Sequence, residues 1–250
     1  MFRIFICLVA VLPAVMHPCT VSAQQPQHSE AASDRAAMLP AAPRSEWLGS
    51  FSGISVSGRM HVRIIRNAVD EGPRITYNTQ GEMSAKFKAA VDKSGILKIE
   101  EPVDPKRTTV TEVTVWCNEI TSLSVAVADL TFENTISCDM FDLTVTGGAN
   151  VKARFDVLDL AVEATGRSSI VLEGQARYLH LDISTAKFDG TELSTVSSVV
   201  EASHTSEVRI SVSERLEGIT STSANIRYLG SPQIVRAHTT MFGGEITPLE

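Results

Sequence analysis

Asp182, Asp189 and Glu192 are the carboxylates whose type and spacing could do chemistry. Glycoside cleavage needs two carboxyl groups about 5 to 9.5 Å apart, one as acid and one as nucleophile or base. Asp182 falls in the alternating run Leu179-His180-Leu181-Asp182-Ile183, while Asp189-Gly190 reads as a turn. They therefore read as solvated strand and corner carboxylates. Zinc would need His, Cys or acidic ligands to converge, and His180, His204 and His238 are the histidines to consider. A serine nucleophile would sit on a Gly-x-Ser-x-Gly elbow, and the sequence has none. Gly147-Gly148 is not followed by Lys, so it is a corner and not a phosphate-cradling loop. The reading is a protein that is not an enzyme, with no catalytic residue, metal or cofactor. A carbohydrate-active enzyme is the competing reading, because parallel β-helices host such enzymes; an acidic cluster in a groove would favour it.

The elements that position these residues repeat. From Leu123 to Ile246 a short apolar alternation leads to a patch of small residues and then to one apolar anchor. The anchors are Leu130, Val151, Ile170, Phe188, Val208, Ile226 and Ile246, separated by 21, 19, 18, 20, 18 and 20 residues. The patches include Thr146 to Asn150, Ala164 to Ser169, Ser184 to Ala186, Ser203 to Ser206 and Thr222 to Asn225. A fixed period of this size marks a solenoid. At roughly 3.3 Å per strand residue, each unit holds two or three short strands with their corners. Val, Ile, Thr and Leu suit a pleated surface, and the patches suit corners. One coil cannot bury its apolar face alone, but stacked coils can. The fold class predicted is all-β, a right-handed parallel β-helix-like solenoid with coils of about 19 residues and an N-terminal β cap. A leucine-rich repeat has a similar period, but its consensus is absent; a sandwich of hairpins should be spaced less regularly.

This register makes further predictions. His180 and His238 each lie eight residues before an anchor, so they share a face three coils apart, roughly 14 Å at the strand spacing. His204 lies four before its anchor and points elsewhere. Cys117 and Cys138 each lie 13 residues before an anchor. Stacked in consecutive coils they would come within disulfide reach, so they are a candidate pair, with two free thiols as the alternative. A bridge would stabilise by about 3 kcal/mol in the chain-entropy model.

Residues 1–23 read as a signal peptide. Arg3 is the basic start, Ile4 to Val15 the apolar core, and Val21-Ser22-Ala23 the small residues before a cut ahead of Gln24. Pro18 before Cys19 argues against a lipid-anchoring cut. Residues 24–45 are rich in Ala, Pro, Ser and Gln and read as a flexible linker. Residues 46–250 read as one solenoid domain, with an N-terminal β segment over 46–116 and repeat coils over 117–246. Glu82 to Asp92 fits a helix or a strand. The formal charge of −7, with no basic cluster, argues against nucleic acid as a partner. No stretch after residue 23 is long and apolar enough to cross a bilayer as a helix.

Several segments resemble one family. Phe51 to Gly58 followed by Val62-Arg63-Ile64 is similar to its first strand pair, with Gly53 and Gly58 at corners. Ser94 to Ile99 is similar to its Gly-x-Leu-x-Ile strand, and Leu172 to Ala176 to the turn between coils. Ile226-Arg227-Tyr228-Leu229-Gly230-Ser231-Pro232 resembles its terminal Ile-x-Tyr-x-Gly-x-Pro motif, the most specific of these. The chain thus resembles the auto-transporter adhesin head domain, or head GIN domain, of exported bacterial proteins over roughly residues 50 to 246. The resemblance implies a β-helix-like fold and gives Gly53, Gly58, Gly147, Gly148, Tyr228, Gly230 and Pro232 structural roles. The sequence departs from the family in two respects. Its Ser-Gly-Ala corners are replaced by Thr-Gly-Gly, Thr-Gly-Arg-Ser, Ser-Thr-Ala and His-Thr-Ser, and the closing Gly-Ile-Asn is absent.

The expected function is that of a non-enzymatic exported binding or adhesion module, located in the periplasm or at the cell surface. Its expected partner is a glycan or an envelope or host surface protein, met by rows of Thr, Ser and Asn at fixed spacing. The alternative is a periplasmic structural or regulatory protein acting through a protein partner. A monomer or weak oligomer is expected, with end-to-end stacking if the caps are poor.

Overall fold

The computed structural model describes residues 43–68, 71–79, 85–240 and 242–249. The signal peptide and nearly all of the linker read above lie outside the described residues. Within them the chain forms a β-solenoid of about seven turns, with parallel bridges about 19 residues apart.

The strands are, in order, β1 (Arg44–Trp47), β2 (Gly53–Ser57), β3 (Met60–Arg66), β4 (Arg74–Asn78), β5 (Lys88–Val91), β6 (Ile96–Glu100), β7 (Thr111–Cys117), β8 (Ser122–Ala126) and β9 (Asp129–Phe132). The longer ones follow: β10 (Ile136–Thr146), β11 (Asn150–Thr165), β12 (Ser169–Ser184), β13 (Lys187–Ser203) and β14 (Glu207–Thr220). β15 (Asn225–Leu229), β16 (Ile234–Thr239) and β17 (Ile246–Pro248) finish the chain. Burial alternates along β11 with the period-2 pattern of its apolar residues, on either side of a one-residue slip at Leu158–Asp159.

The anchors form one column. Leu130 pairs with Val151, Val151 with Ile170, Ile170 with Phe188, Phe188 with Val208, Val208 with Ile226, and Ile226 with Ile246. A second buried column runs Ile54, Leu123, Leu143, Val162, Leu181, Val200, Gly218. At Gly218 the column loses its side chain. A Cβ there would stand 2.9 Å from Cδ1 of Ile246 and 3.4 Å from Cδ1 of Ile226, so the anchor column fills that space.

The first coils do not stack in chain order. β2 lies between β6 and β8, and β3 lies between β7 and β9. The chain begins in the second coil, goes back to build the first, and then passes to the third. The cap itself is antiparallel: β4 lies on β7, β1 on β4, and β5 on β6. Residues 44 and 45, assigned to the linker from sequence, are paired in β1. Of the stretch Glu82 to Asp92, Lys88–Val91 is strand, and residues 82–84 lie outside the described set.

Candidate binding faces

Each of the first six anchors, Leu130 to Ile226, is preceded by the same corner. The residue three before it has positive φ: Val127 (63°), Gly148 (80°), Arg167 (65°), Thr185 (55°), Thr205 (62°) and Ser223 (65°). The residue two before it is small and buried: Ala128, Ala149, Ser168, Ala186, Ser206 and Ala224. The left-handed residue turns the chain, and the small residue lets successive turns lie close. The hydroxyl of Ser168 closes its turn by donating to the carbonyl of Thr165 at 2.6 Å. Gly147 (φ 68°) shares this corner with Gly148.

Other glycines answer a different need. Gly58, Gly174 and Gly230 have φ of 129°, 104° and 103°. A Cβ on them would lie 2.3, 2.0 and 2.2 Å from the carbonyl oxygens of Glu101, Phe155 and Val212. No side chain fits there. Gly174 therefore bends β12 within a continuous strand, where the sequence suggested a turn between coils. Gly53 is packed so that a Cβ would meet Ser122 Oγ at 2.4 Å. Tyr228 pairs with Ile210 and with Pro248 and packs against the core. Pro232 stands in the loop between β15 and β16.

The corner separates two sets of outward side chains. On the near side Ser55, Ser124, Thr144, Glu163, Asp182 and Glu201 are successive rungs. Glu163, Asp182 and Glu201 are exposed, and none takes part in a described ion pair. On the far side the outward columns are paired from coil to coil. Nη2 of Arg154 lies 2.7 Å from Glu173, Lys187 Nζ lies 3.3 Å from Glu207, and Arg209 lies 3.8 Å from Asp189. Asn150 donates to Asp129 at 2.6 Å, and His61 lies between Glu112 and Asp129 at 3.1 and 3.2 Å. Two shallow depressions lie on this side. One of about 310 Å³ is lined by Thr131, Glu133, Lys152, Arg154 and Glu173, and one of about 260 Å³ by Lys187, Asp189, Glu207 and Arg209.

The chemistry-bearing residues are distributed along this framework. Asp182 lies on one side of the corner; Asp189 and Glu192 lie on the other, with Glu192 opposite Glu173. Asp189 accepts from the backbone N–H and the hydroxyl of Thr191 at 3.2 and 2.7 Å. His180 and His238 share a side but not a column. His180 pairs with Val199 and His238 with Ile219, because coil lengths differ and β13 carries register shifts. His204 sits in the corner with φ 52°, and its Nδ1 is 3.2 Å from the Ser184 hydroxyl. Among the described residues no group of three His, Cys, Asp or Glu is placed to hold a metal ion. The Glu217 carboxyl is held below its usual range by the hydrogen bond from Arg215, with Arg236 adding to it.

Cys117 and Cys138 are free thiols in this structure. The predicted adjacency fails because the β2–β3 coil enters the stack. Cys117 is paired with Arg66 of β3, and Cys138 with Val157 of β11, so they do not sit on neighbouring strands.

The family model "Putative auto-transporter adhesin, head GIN domain" matches residues 50–232. The chain belongs to this family. The fold of this head GIN domain is shared by solved structures at low identity. A "putative adhesin" from Bacteroides fragilis superposes with a TM-score of 0.75 at 18% identity, covering 83% of this chain and 96% of that one. A "putative adhesin" from Parabacteroides merdae gives 0.65 at 14% identity, covering 84% and 96%. A "putative lipid binding protein" from Parabacteroides distasonis gives 0.62 at 13% identity, covering 83% and 96%. No curated protein matches the chain significantly.

Proposed function

We propose that this head GIN domain is a non-enzymatic, exported binding module of adhesion type. Its ligand is a repeating polar surface, a glycan in the first instance and an envelope or host surface protein in the second. The observation that carries the reading is the register of the outward columns. Ser, Thr and carboxylate side chains recur at one strand spacing, about 4.8 Å, and polar depressions lie beyond the corner. A ligand with its own repeat meets such rows many times over, so weak contacts sum. The adhesion-type family and the names of two neighbours support the same reading.

Protease shaving of intact cells, with fractionation alongside, tests display. Cleavage from outside is the expected result, followed by binding in a screen of glycans and surface proteins. A charge reversal of the exposed rungs Glu163, Asp182 and Glu201 should then remove binding and leave the fold intact. Protection until the envelope is broken would sink the adhesion reading and favour a periplasmic protein partner, to be sought by crosslinking.

A further inference from the structure

Most cations on the far side of the corner meet a carboxylate on a neighbouring rung. Arg154 meets Glu173, Lys187 meets Glu207, and Arg209 lies toward Asp189. Arg227 does not: its rung neighbours are Arg209 and Thr247. Two exposed arginines therefore stand one strand spacing apart, about 4.8 Å between backbones. Like charges directly opposite destabilise. The nearby carboxylates do little to relieve them. Glu207 is taken by Lys187 at 3.3 Å. Asp189 accepts from the N–H and hydroxyl of Thr191, and its Oδ2 is 3.8 Å from Nη1 of Arg209, beyond hydrogen-bond reach. Among the described residues Arg227 has no ion pair, and neither guanidinium donates a hydrogen bond. A third, smaller depression of about 80 Å³ opens at this point, lined by Glu207, Val208, Arg209, Asn225 and Arg227. It shares Glu207 and Arg209 with the depression beside it. Asn225 is fixed there, because its Oδ1 accepts from the N–H of Glu245 at 3.0 Å.

We propose that Arg209 and Arg227 form a subsite for the oxyanion group, carboxylate or sulfate, of an acidic saccharide. An oxyanion set between two guanidinium groups turns their repulsion into charge-assisted hydrogen bonds. Arginine suits this role better than lysine, because its planar fork matches such a group with two parallel bonds. Thr247 brings a hydroxyl on the next rung of the same face. Glu207, held by Lys187, borders the depression and keeps an anion on the Arg227 side. The depression takes one charged substituent, and the sugar chain lies along the rungs. The saccharide rests on the glycan reading above; the oxyanion rests on the arrangement of charges alone.

The full chain is titrated with glucuronate, and separately with inorganic sulfate, while the Nε–Hε resonances of both arginines are followed, assigned through R209K and R227K. The two should shift together and saturate. Resonances that move no more than those of other exposed arginines overturn the subsite, and leave the adhesion reading to stand on its own test. Short oligogalacturonate, a sulfated oligosaccharide and a neutral maltooligosaccharide of the same length then separate the sources. The acidic chains should bind more tightly than glucuronate or sulfate alone, and the tighter of the two identifies the group as carboxylate or sulfate. R227A should weaken that binding about tenfold or more, the worth of a hydrogen bond to a charged group, with the circular dichroism unchanged. K88A removes an exposed cation from the cap at the other end of the stack and should leave binding as it is. Equal losses in K88A and R227A would reduce the effect to diffuse attraction and overturn the subsite. Acidic chains that bind no better than inorganic sulfate would mean an adventitious ion only. Saccharide binding that survives R227A, by the neutral chain above all, overturns the subsite while supporting the glycan reading.

Discussion

Arg107 holds its Nη1 2.6 Å from Oε2 of Glu101, whose side chain is wholly buried. Thr111 completes the site: its hydroxyl donates to Oε1 of Glu101 at 2.6 Å and accepts from Arg107 Nη2 at 2.8 Å. The loop between β6 and β7 is fixed by this triad. Arg59 binds the Arg107 carbonyl at 3.0 Å, and Gly58 gives the Glu101 carbonyl room to approach. Removing one partner of a buried ion pair leaves an uncompensated charge, which costs about 3–5 kcal/mol. R107A should therefore lower the urea-unfolding free energy by that amount. E101Q combined with R107M should recover most of the loss. A change under about 1 kcal/mol in R107A would show that water reaches the carboxylate.

A hydroxyl pair interrupts the apolar column. Ser198 stands between Leu179 and Leu216, and its hydroxyl is 2.8 Å from that of Thr195. Thr195 also donates to the carbonyl of Ser211 at 2.6 Å. T195V leaves the Ser198 hydroxyl and that carbonyl short of a partner, at about 1–3 kcal/mol. S198A removes one partner only. The double variant T195V/S198A should be more stable than the sum of the singles predicts, and a double-mutant cycle measures the difference. Strict additivity would rule out the coupling.

The seven anchors can be read from sequence because each coil must present one large apolar residue inward, and spacings of 18 to 21 residues are absorbed by bulges. Those bulges lie between Val171 and Glu173, between Gly190 and Ser194, and between Thr195 and Ser197. Two features were not legible. The insertion of β2 and β3 between later strands leaves no trace, because Ile54 and Val62 sit in the same alternation that any coil would show. That insertion separates the two cysteines. The left-handed corner was hidden because Val127, Arg167 and Thr185 stand where glycine is the usual signal. Of the exposed rungs, Asp182 is already legible as a solvated strand carboxylate; its neighbours Glu163 and Glu201 are hidden by the one-residue differences in coil length when counting back from the anchors.

Thr185 and Val127 carry the strain of that corner. A non-glycine residue in the left-handed region costs of order 1–3 kcal/mol, and β-branching makes it worse. Glycine at these positions loses about 0.5–1 kcal/mol in chain entropy but removes the strain. T185G and V127G should each raise the melting temperature, by about 1 kcal/mol of stability. G148V should lower stability by at least as much, since φ there is 80°. A T185G variant less stable than the parent would mean that the backbone bond from Arg167 to Thr185, 2.6 Å long, holds the corner without strain.

The thiols supply a pH test. Burial pushes the Cys117 thiol up to about 11 from 9.0, partly opposed by Arg66. Cys138 is also raised, by burial first and then by Asp139 and Glu119. A raised folded-state value means that the native state keeps a proton the unfolded chain releases. Stability is therefore undiminished below about pH 9 and falls as pH rises from about 9 through 11. C117A should flatten this slope, at the cost of a small cavity. The thiolate is the reactive form, so a thiol reagent at pH 8 should modify Cys138 slowly and Cys117 only after unfolding. Non-reduced peptide mapping should return both residues unlinked. A Cys117–Cys138 peptide would require the β3 coil to move out from between their strands, and hydrogen exchange on β3 would then have to be fast.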